Sequence, residues 1–173
     1  MLDCFTHTGA FGLNCALAGA QSVVSVDVSA EALEQAKRNA ALTGVADRVT
    51  YLQSDVFDLL TEKTQRGRGE YDMIILDPPA FTKSRRSVEG ATRGYKDINM
   101  RAMRLLPRGG WLATASCSHF MTRELFEKML ASAARDAGVT LRLVERRGQA
   151  PDHPVLWSVP ETEYLKFYLF QVV

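Results

Sequence analysis

Along almost the whole chain, short apolar runs that read as strands alternate with stretches whose apolar residues recur at helical spacing. Strands buried on both faces are joined in parallel through crossover helices, so the alternation predicts a parallel sheet covered by helices. Strands are expected near residues 2–5, 22–27, 48–53, 71–77, 110–116, 139–146 and 164–172. The best-marked helix has Ser29 as N-cap, carries Ala32, Leu33, Ala36 and Ala40 on one face, and stops at Gly44. Another starts at Thr122 and places Leu125, Phe126, Met129, Leu130 and Ala133 together. A third covers 97–106 and ends before Pro107 and Gly109-Gly110. Residues 148–163 contain Pro151, Pro154 and Pro160 and have no helical pattern. Without a crossover helix, the last two strands pair antiparallel, which leaves one reversed strand at or near the sheet edge.

At 173 residues and 46% hydrophobic composition, the chain fits a single domain over 1–173. Lys plus Arg number 21 against 20 for Asp plus Glu, and this balance excludes nucleic-acid binding by bulk positive charge. No apolar run reaches the length of a membrane span. Asp3 follows Met1 too closely for a signal core, so a cytoplasmic protein without a membrane partner is expected. Cys4, Cys15 and Cys117 lack the paired spacing of a zinc site and read as free thiols, with no metal implied. The chain begins almost inside its first strand, as a C-terminal fragment of a longer protein would.

In open α/β sheets, ligands lie beyond the carboxyl ends of the strands, so the residues after each strand are the candidates. The first strand runs into Asp3-Cys4-Phe5-Thr6-His7-Thr8-Gly9-Ala10-Phe11-Gly12, where Gly9 and Gly12 permit close backbone approach. This is neither a dinucleotide fingerprint nor a P-loop. Asp27 follows the second strand at close to the spacing at which an acid binds ribose hydroxyls. After the third strand, Asp55 and Val56 offer a carboxylate and an apolar side chain to an adenine, although Asp27 or Asp55 taken alone also reads as a helix N-cap or a solvated loop acid. Asp77-Pro78-Pro79-Ala80-Phe81 follows the fourth strand. Its two prolines stiffen the loop and expose carbonyl acceptors, which suits a planar base. Ser116-Cys117-Ser118-His119 closes the same rim after the fifth strand.

In this order, these motifs resemble the class I S-adenosylmethionine-dependent methyltransferases. Asp77-Pro78-Pro79-Ala80-Phe81, Gly94-Tyr95-Lys96-Asp97-Ile98-Asn99, Ser116-Cys117-Ser118 and Pro160-Glu161-Thr162-Glu163-Tyr164-Leu165-Lys166 closely resemble the bacterial 23S ribosomal RNA cytosine-5 methyltransferases. The resemblance implies an α/β, Rossmann-like class I methyltransferase fold with a mostly parallel seven-stranded sheet, one antiparallel strand and helices on both faces. It also implies S-adenosyl-L-methionine as cofactor. Contacts to the methionine moiety would lie around Asp3, Phe5, Thr6, Thr8 and Gly9, with ribose on Asp27 and adenine near Asp55 and Val56. The family's PUA and linking β domains, and the second cysteine of other RNA cytosine-5 methyltransferases, have no counterpart here.

Cytosine carbon 5 is a poor nucleophile, so the implied chemistry begins with thiolate addition at carbon 6 by Cys117. Asp77 would hold nitrogen 3 and the exocyclic amine. Because a free cysteine is mostly thiol at neutral pH, an electropositive rim or proton removal during attack is required. His7, His119 and His153 are all candidates for accepting the carbon 5 proton. The 23S ribosomal RNA partner is expected to meet Pro78, Pro79, Phe81, Lys83 and Lys96. Lys83, Arg85, Arg86, Arg93, Lys96, Arg101, Arg104 and Arg108 face only Glu89 and Asp97, a local net +6 suited to phosphates, or alternatively the wet face of a helix. A homodimer stays open. The competing readings are exocyclic-amine methylation, RNA 5-methyluridine methylation (whose enzymes carry Arg where this chain has Ala80), and a nucleoside-binding fragment without activity.

Overall fold

The computed structural model describes residues 1–82 and 84–173. Among these, seven strands, β1 (Leu2–Cys4), β2 (Val23–Asp27), β3 (Val49–Gln53), β4 (Met73–Leu76), β5 (Trp111–Ser116), β6 (Leu141–Arg147) and β7 (Lys166–Val172), form one sheet in the order β3-β2-β1-β4-β5-β7-β6. β7 pairs antiparallel with both β5 and β6, so the reversed strand lies one place in from the edge. The expected mostly parallel α/β architecture is present. The edge strand β6 is largely exposed and carries a register irregularity between Leu143 and Glu145.

Two helices, α1 (Ala10–Leu17) and α2 (Ala30–Thr43), cover one face, where Leu13, Ala16 and Ala40 pack on Val23 and Val49. On the other face, α3 (Val56–Arg66), α4 (Val88–Leu105) and α5 (Arg123–Ala137) build the larger core with Leu2, Cys4, Ile74, Leu76 and Leu112. The strand alternation sorts the residues. Leu2 and Cys4 face the large core, while Asp3 between them faces α1.

Ser29 and Thr122 cap α2 and α5 as the sequence predicts, each accepting a backbone N–H at 3.2 Å. The third helix differs from expectation, since α4 begins at Val88 and not at residue 97. Gly90 and Gly94 weaken the local helical signal, but Ala91, Tyr95, Ile98 and Ala102 repeat on the buried face, and their packing outweighs propensity. Gly94 packs against the Phe81 ring, where an added Cβ would make ordinary contact at 3.4 Å. Among the described residues, no helix is long and apolar enough to cross a membrane.

Phe126 ties α5 to this core, fully buried and edge-on to Tyr95 at 5.6 Å between ring centroids, with Tyr168 at 5.9 Å. Phe126→Ala should cost about 3–5 kcal/mol through the cavity it leaves. Urea unfolding checks this, and the midpoint should fall.

Candidate active site

The reversal of strand order falls between β1 and β4, with β2–β3 on one side and β5–β7 on the other. Above it lies a cleft of about 550 Å³, lined by residues that follow four strands and by the chain leading into β7. Phe5 and His7 come from the β1 loop, Asp27 and Val28 from β2, Asp77, Pro78 and Pro79 from β4, Cys117 from β5, and Tyr164 and Leu165 precede β7. The volume is within the range of small-ligand pockets.

The β1 loop is held by a carboxylate. Asp3 is 1% exposed and accepts from the Thr6 hydroxyl at 2.5 Å and from the Gly12 N–H at 2.9 Å. Burial, with Asp77 and Asp27 adding to it, pushes its carboxyl up to about 6 against the pull of those two hydrogen bonds. A Cβ at Gly12 would sit 2.8 Å from Asp3 Oδ2 and 2.9 Å from the Ser25 hydroxyl, so no side chain fits there. Gly9 adopts φ +91° as the N-cap of α1, and Phe5 and His7 also hold positive φ, at 62° and 49°. Such backbone is costly for residues with a Cβ and persists where the surroundings impose it.

One result of this loop shape is the setting of Asp27. Its two carboxylate oxygens accept from the His7 and Ser29 N–H groups, each at 2.9 Å. Both oxygens are fixed in direction and keep lone pairs for a pair of ligand hydroxyls. Thr8 lies beside this loop, and its carbonyl accepts from Asn39. Asp55 is exposed and caps α3, accepting from the Phe57 N–H at 2.7 Å and, more weakly, from the Asp58 N–H at 3.3 Å. Val56 is buried in the core beneath it.

At the opposite wall, Cys117 Sγ lies 3.9 Å from the Pro78 carbonyl oxygen. Burial, and after it the Asp77 carboxylate, push the Cys117 thiol up, and Asp77 is itself raised by burial. Both effects disfavour the charged form of this thiol. The loop carrying Cys117 is pinned from below by Tyr95, whose buried hydroxyl accepts from Ser116 at 3.0 Å and lies 3.1 Å from the Ser118 hydroxyl.

Several expected site residues lie elsewhere. The Asp3 and Thr6 side chains are spent on each other, and Phe81 packs inward between Phe5, Phe57 and Tyr95. Lys96 is turned onto α5, where it pairs with Asp136 at 2.6 Å. Lys83 lies outside the described residues. Within the basic stretch, Arg93 and Arg101 pair with Glu89 and Asp97, and Arg104 donates to the Asp136 carbonyl, so much of the predicted phosphate surface is a helix face bound to its own protein. Of the three histidines, His7 lines the cleft, His119 packs on Phe120, and His153 meets the Tyr164 hydroxyl at 2.9 Å. Tyr95, Tyr164 and Leu165 carried no assigned role in the sequence reading. They become visible only when the strand order places α4 and the start of β7 beside Cys117.

A sheet in this order, with a penultimate antiparallel strand and a nucleoside-sized cleft over its reversal point, defines a Rossmann-like methyltransferase. The chain belongs to the S-adenosylmethionine-dependent methyltransferase family, whose profile matches residues 1–171. It is 50% identical over 167 residues to "Ribosomal RNA large subunit methyltransferase I" of Shewanella amazonensis, covering 96% of this chain and 42% of that protein. The protein of the same name from Vibrio cholerae is 46% identical over 176 residues, covering 100% and 44%. The chain thus spans less than half the length of these curated relatives. A solved structure described as a methyltransferase complexed with SAH superposes with a TM-score of 0.85 at 22% identity, covering 99% of this chain and 44% of that one.

The hydroxyl of Tyr95 generates a stability prediction. Tyr95→Phe strands the Ser116 and Ser118 hydroxyls in the core and should cost about 1–3 kcal/mol. Thermal unfolding of the purified variant measures this loss.

Proposed function

We propose that this chain transfers a methyl group from S-adenosyl-L-methionine to carbon 5 of a cytosine in large-subunit ribosomal RNA, through a Cys117 thiolate adduct. The observation that carries this reading is a single cleft with Phe5 and Asp27 on one side and Asp77, Pro78, Pro79 and Cys117 on the other. The name shared by the relatives supports the RNA substrate. When bound, S-adenosyl-L-methionine supplies an electrophilic methyl group on its sulfonium. Asp27, oriented by two N–H groups, would hold the ribose hydroxyls, with Phe5 and the Gly9 turn beside the methionine portion and the exposed Asp55 toward the adenine, while Val56 stays in the core.

The roles of the protein groups follow from their surroundings. Pro78 and Pro79 form a stiff wall against which a flipped pyrimidine can lie. Asp77, raised by burial, holds a proton more readily than an exposed acid and can share it with cytosine nitrogen 3 as the ring becomes electron-rich. Cys117 loses its proton and its sulfur bonds to carbon 6, which shifts the ring's electron pair to carbon 5. Once carbon 5 is methylated, loss of its proton returns the electron pair, breaks the carbon–sulfur bond and regenerates the thiolate. His7 is the histidine we favour as acceptor of that proton, because it lines the cleft.

Asp27→Ala should weaken binding of S-adenosyl-L-methionine by about 1–3 kcal/mol, roughly 5- to 150-fold, in isothermal calorimetry. Cys117→Ala should abolish turnover on undermodified large-subunit RNA while leaving cofactor affinity nearly intact. RNA containing 5-fluorocytosine should form a covalent complex with the parent and with Cys4→Ala, detected by denaturing electrophoresis, but not with Cys117→Ala. Retained turnover in Cys117→Ala would instead support methylation of an exocyclic amine, in which the Asp77-Pro78-Pro79 loop orients the amine and no nucleophile is needed.

A further inference from the structure

Lys166 opens β7 directly opposite Ser116, and it is 3% exposed. Its Nζ donates to the Ser118 carbonyl at 2.6 Å and to the Tyr164 carbonyl at 2.7 Å. One buried nitrogen therefore joins the loop that carries Cys117 to the segment that forms the facing wall of the cleft. An ammonium has three protons, and these two carbonyls take two of them. Among the described residues, Lys166 has no carboxylate partner. The nearby Glu163 is committed to Arg123 at 2.9 Å, and these two opposite charges largely offset each other.

A buried cation without a counter-ion is expensive and is seldom retained unless its charge is used. The charged and titratable groups around Cys117 are Asp77 from the end of β4, Lys166 from β7, the Arg123–Glu163 pair from α5 and the β7 approach, His119 on its own loop, and His7, Asp27 and Tyr164, which line the same cleft. Asp77 opposes a thiolate, and Lys166 favours one. From this arrangement we propose that Lys166 is a positioning residue for the methyl transfer, locking the Cys117 loop through Ser118 and providing the positive charge against which the Cys117 thiolate forms. The inference rests on reading Cys117 as the nucleophile. It deepens that reading by naming what offsets the burial and the Asp77 charge that hold the thiol protonated.

Desolvation lowers the Lys166 ammonium to about 8, so its charge is present at neutral pH and is lost as pH rises through that value. The sign of the coupling follows. Below pH 8 the ammonium favours the thiolate; above it, the help fades while rising pH itself favours ionisation. In the parent protein, the logarithm of the Cys117 alkylation rate should therefore climb by less than one per pH unit between pH 7 and 9.

The experiment is alkylation by iodoacetamide, followed at the Cys117 peptide by mass spectrometry, which needs neither RNA nor cofactor. Lys166→Met should alkylate roughly tenfold more slowly than the parent at pH 7.5, with the full slope of one restored, whereas Lys166→Arg should keep the parental rate. A folded Lys166→Met protein with the parental rate and slope would overturn the proposal. If Lys166→Met does not fold, the parent alone decides: a slope of one, or a single levelling-off as for any thiol reaching its own pKa, refutes the coupling, and a slope that falls near pH 8 and steepens again above it supports it. Loss of the cytosine-5 reading would appear separately, as turnover surviving in Cys117→Ala.

Discussion

The pairing of β1 with two parallel neighbours at once is the constraint on which the rest of the molecule depends. β1 has only three residues, yet it bonds to β2 on one side and β4 on the other. Right-handed crossovers carry α1 and α2 over one face as the chain moves outward from β1 to β3. When the chain returns across β1 to start β4, the same handedness sends α3 to the opposite face. The loops after β1 and β4 consequently leave the sheet in opposite directions, and the space between them is the cleft. Phe5, His7, Asp27, Asp77 and Cys117 all stand at the edge of that gap.

The polar fastening of the β1 loop illustrates how stability is exchanged for a defined site. Asp3 is buried next to two further acids, and Phe5 and His7 occupy backbone regions that disfavour side chains. The return is local. His7 N–H is aimed at Asp27, and the Phe5 ring is edge-on to Phe81 at 6.3 Å between centroids. Behind them, Phe81, Tyr95, Phe126 and Tyr168 pass contact from ring to ring through the large core, so the floor of the cleft is continuous with the most tightly packed part of the protein.

The sequence made the sheet, its reversed strand and the principal strand-end acids legible because each rests on local chemistry: apolar periodicity, caps, prolines. Ser29, Gly44 and Thr122 act where their side chains or backbones dictate. The direction of a side chain is a different matter. Asp3, Asp27, Asp55 and Asp77 all lie in or just after strands, yet Asp3 turns toward α1 and Asp55 caps α3, while Asp27 and Asp77 face the cleft. Lys96 looked like a phosphate contact until α5, distant in sequence, supplied Asp136. Tyr95 and Lys166 hold Ser116 and Ser118, on either side of Cys117, through tertiary contacts that no spacing along the chain encodes.

The exposed outer strand bears on how this protein behaves in a crowded solution. β6 presents unpaired backbone groups along its free side, together with Leu143 and Val144, a combination that invites a foreign strand to add on. The irregularity between Leu143 and Glu145 breaks the even rhythm that such an addition would have to match. Arg142, Glu145, Arg146 and Arg147 line the same short segment, Arg147 paired with Glu145 and Arg146 with Glu127, so an added strand would have to bury charged side chains. The strand that completes the antiparallel half of the sheet is thus also the one that keeps the sheet from growing into a neighbour.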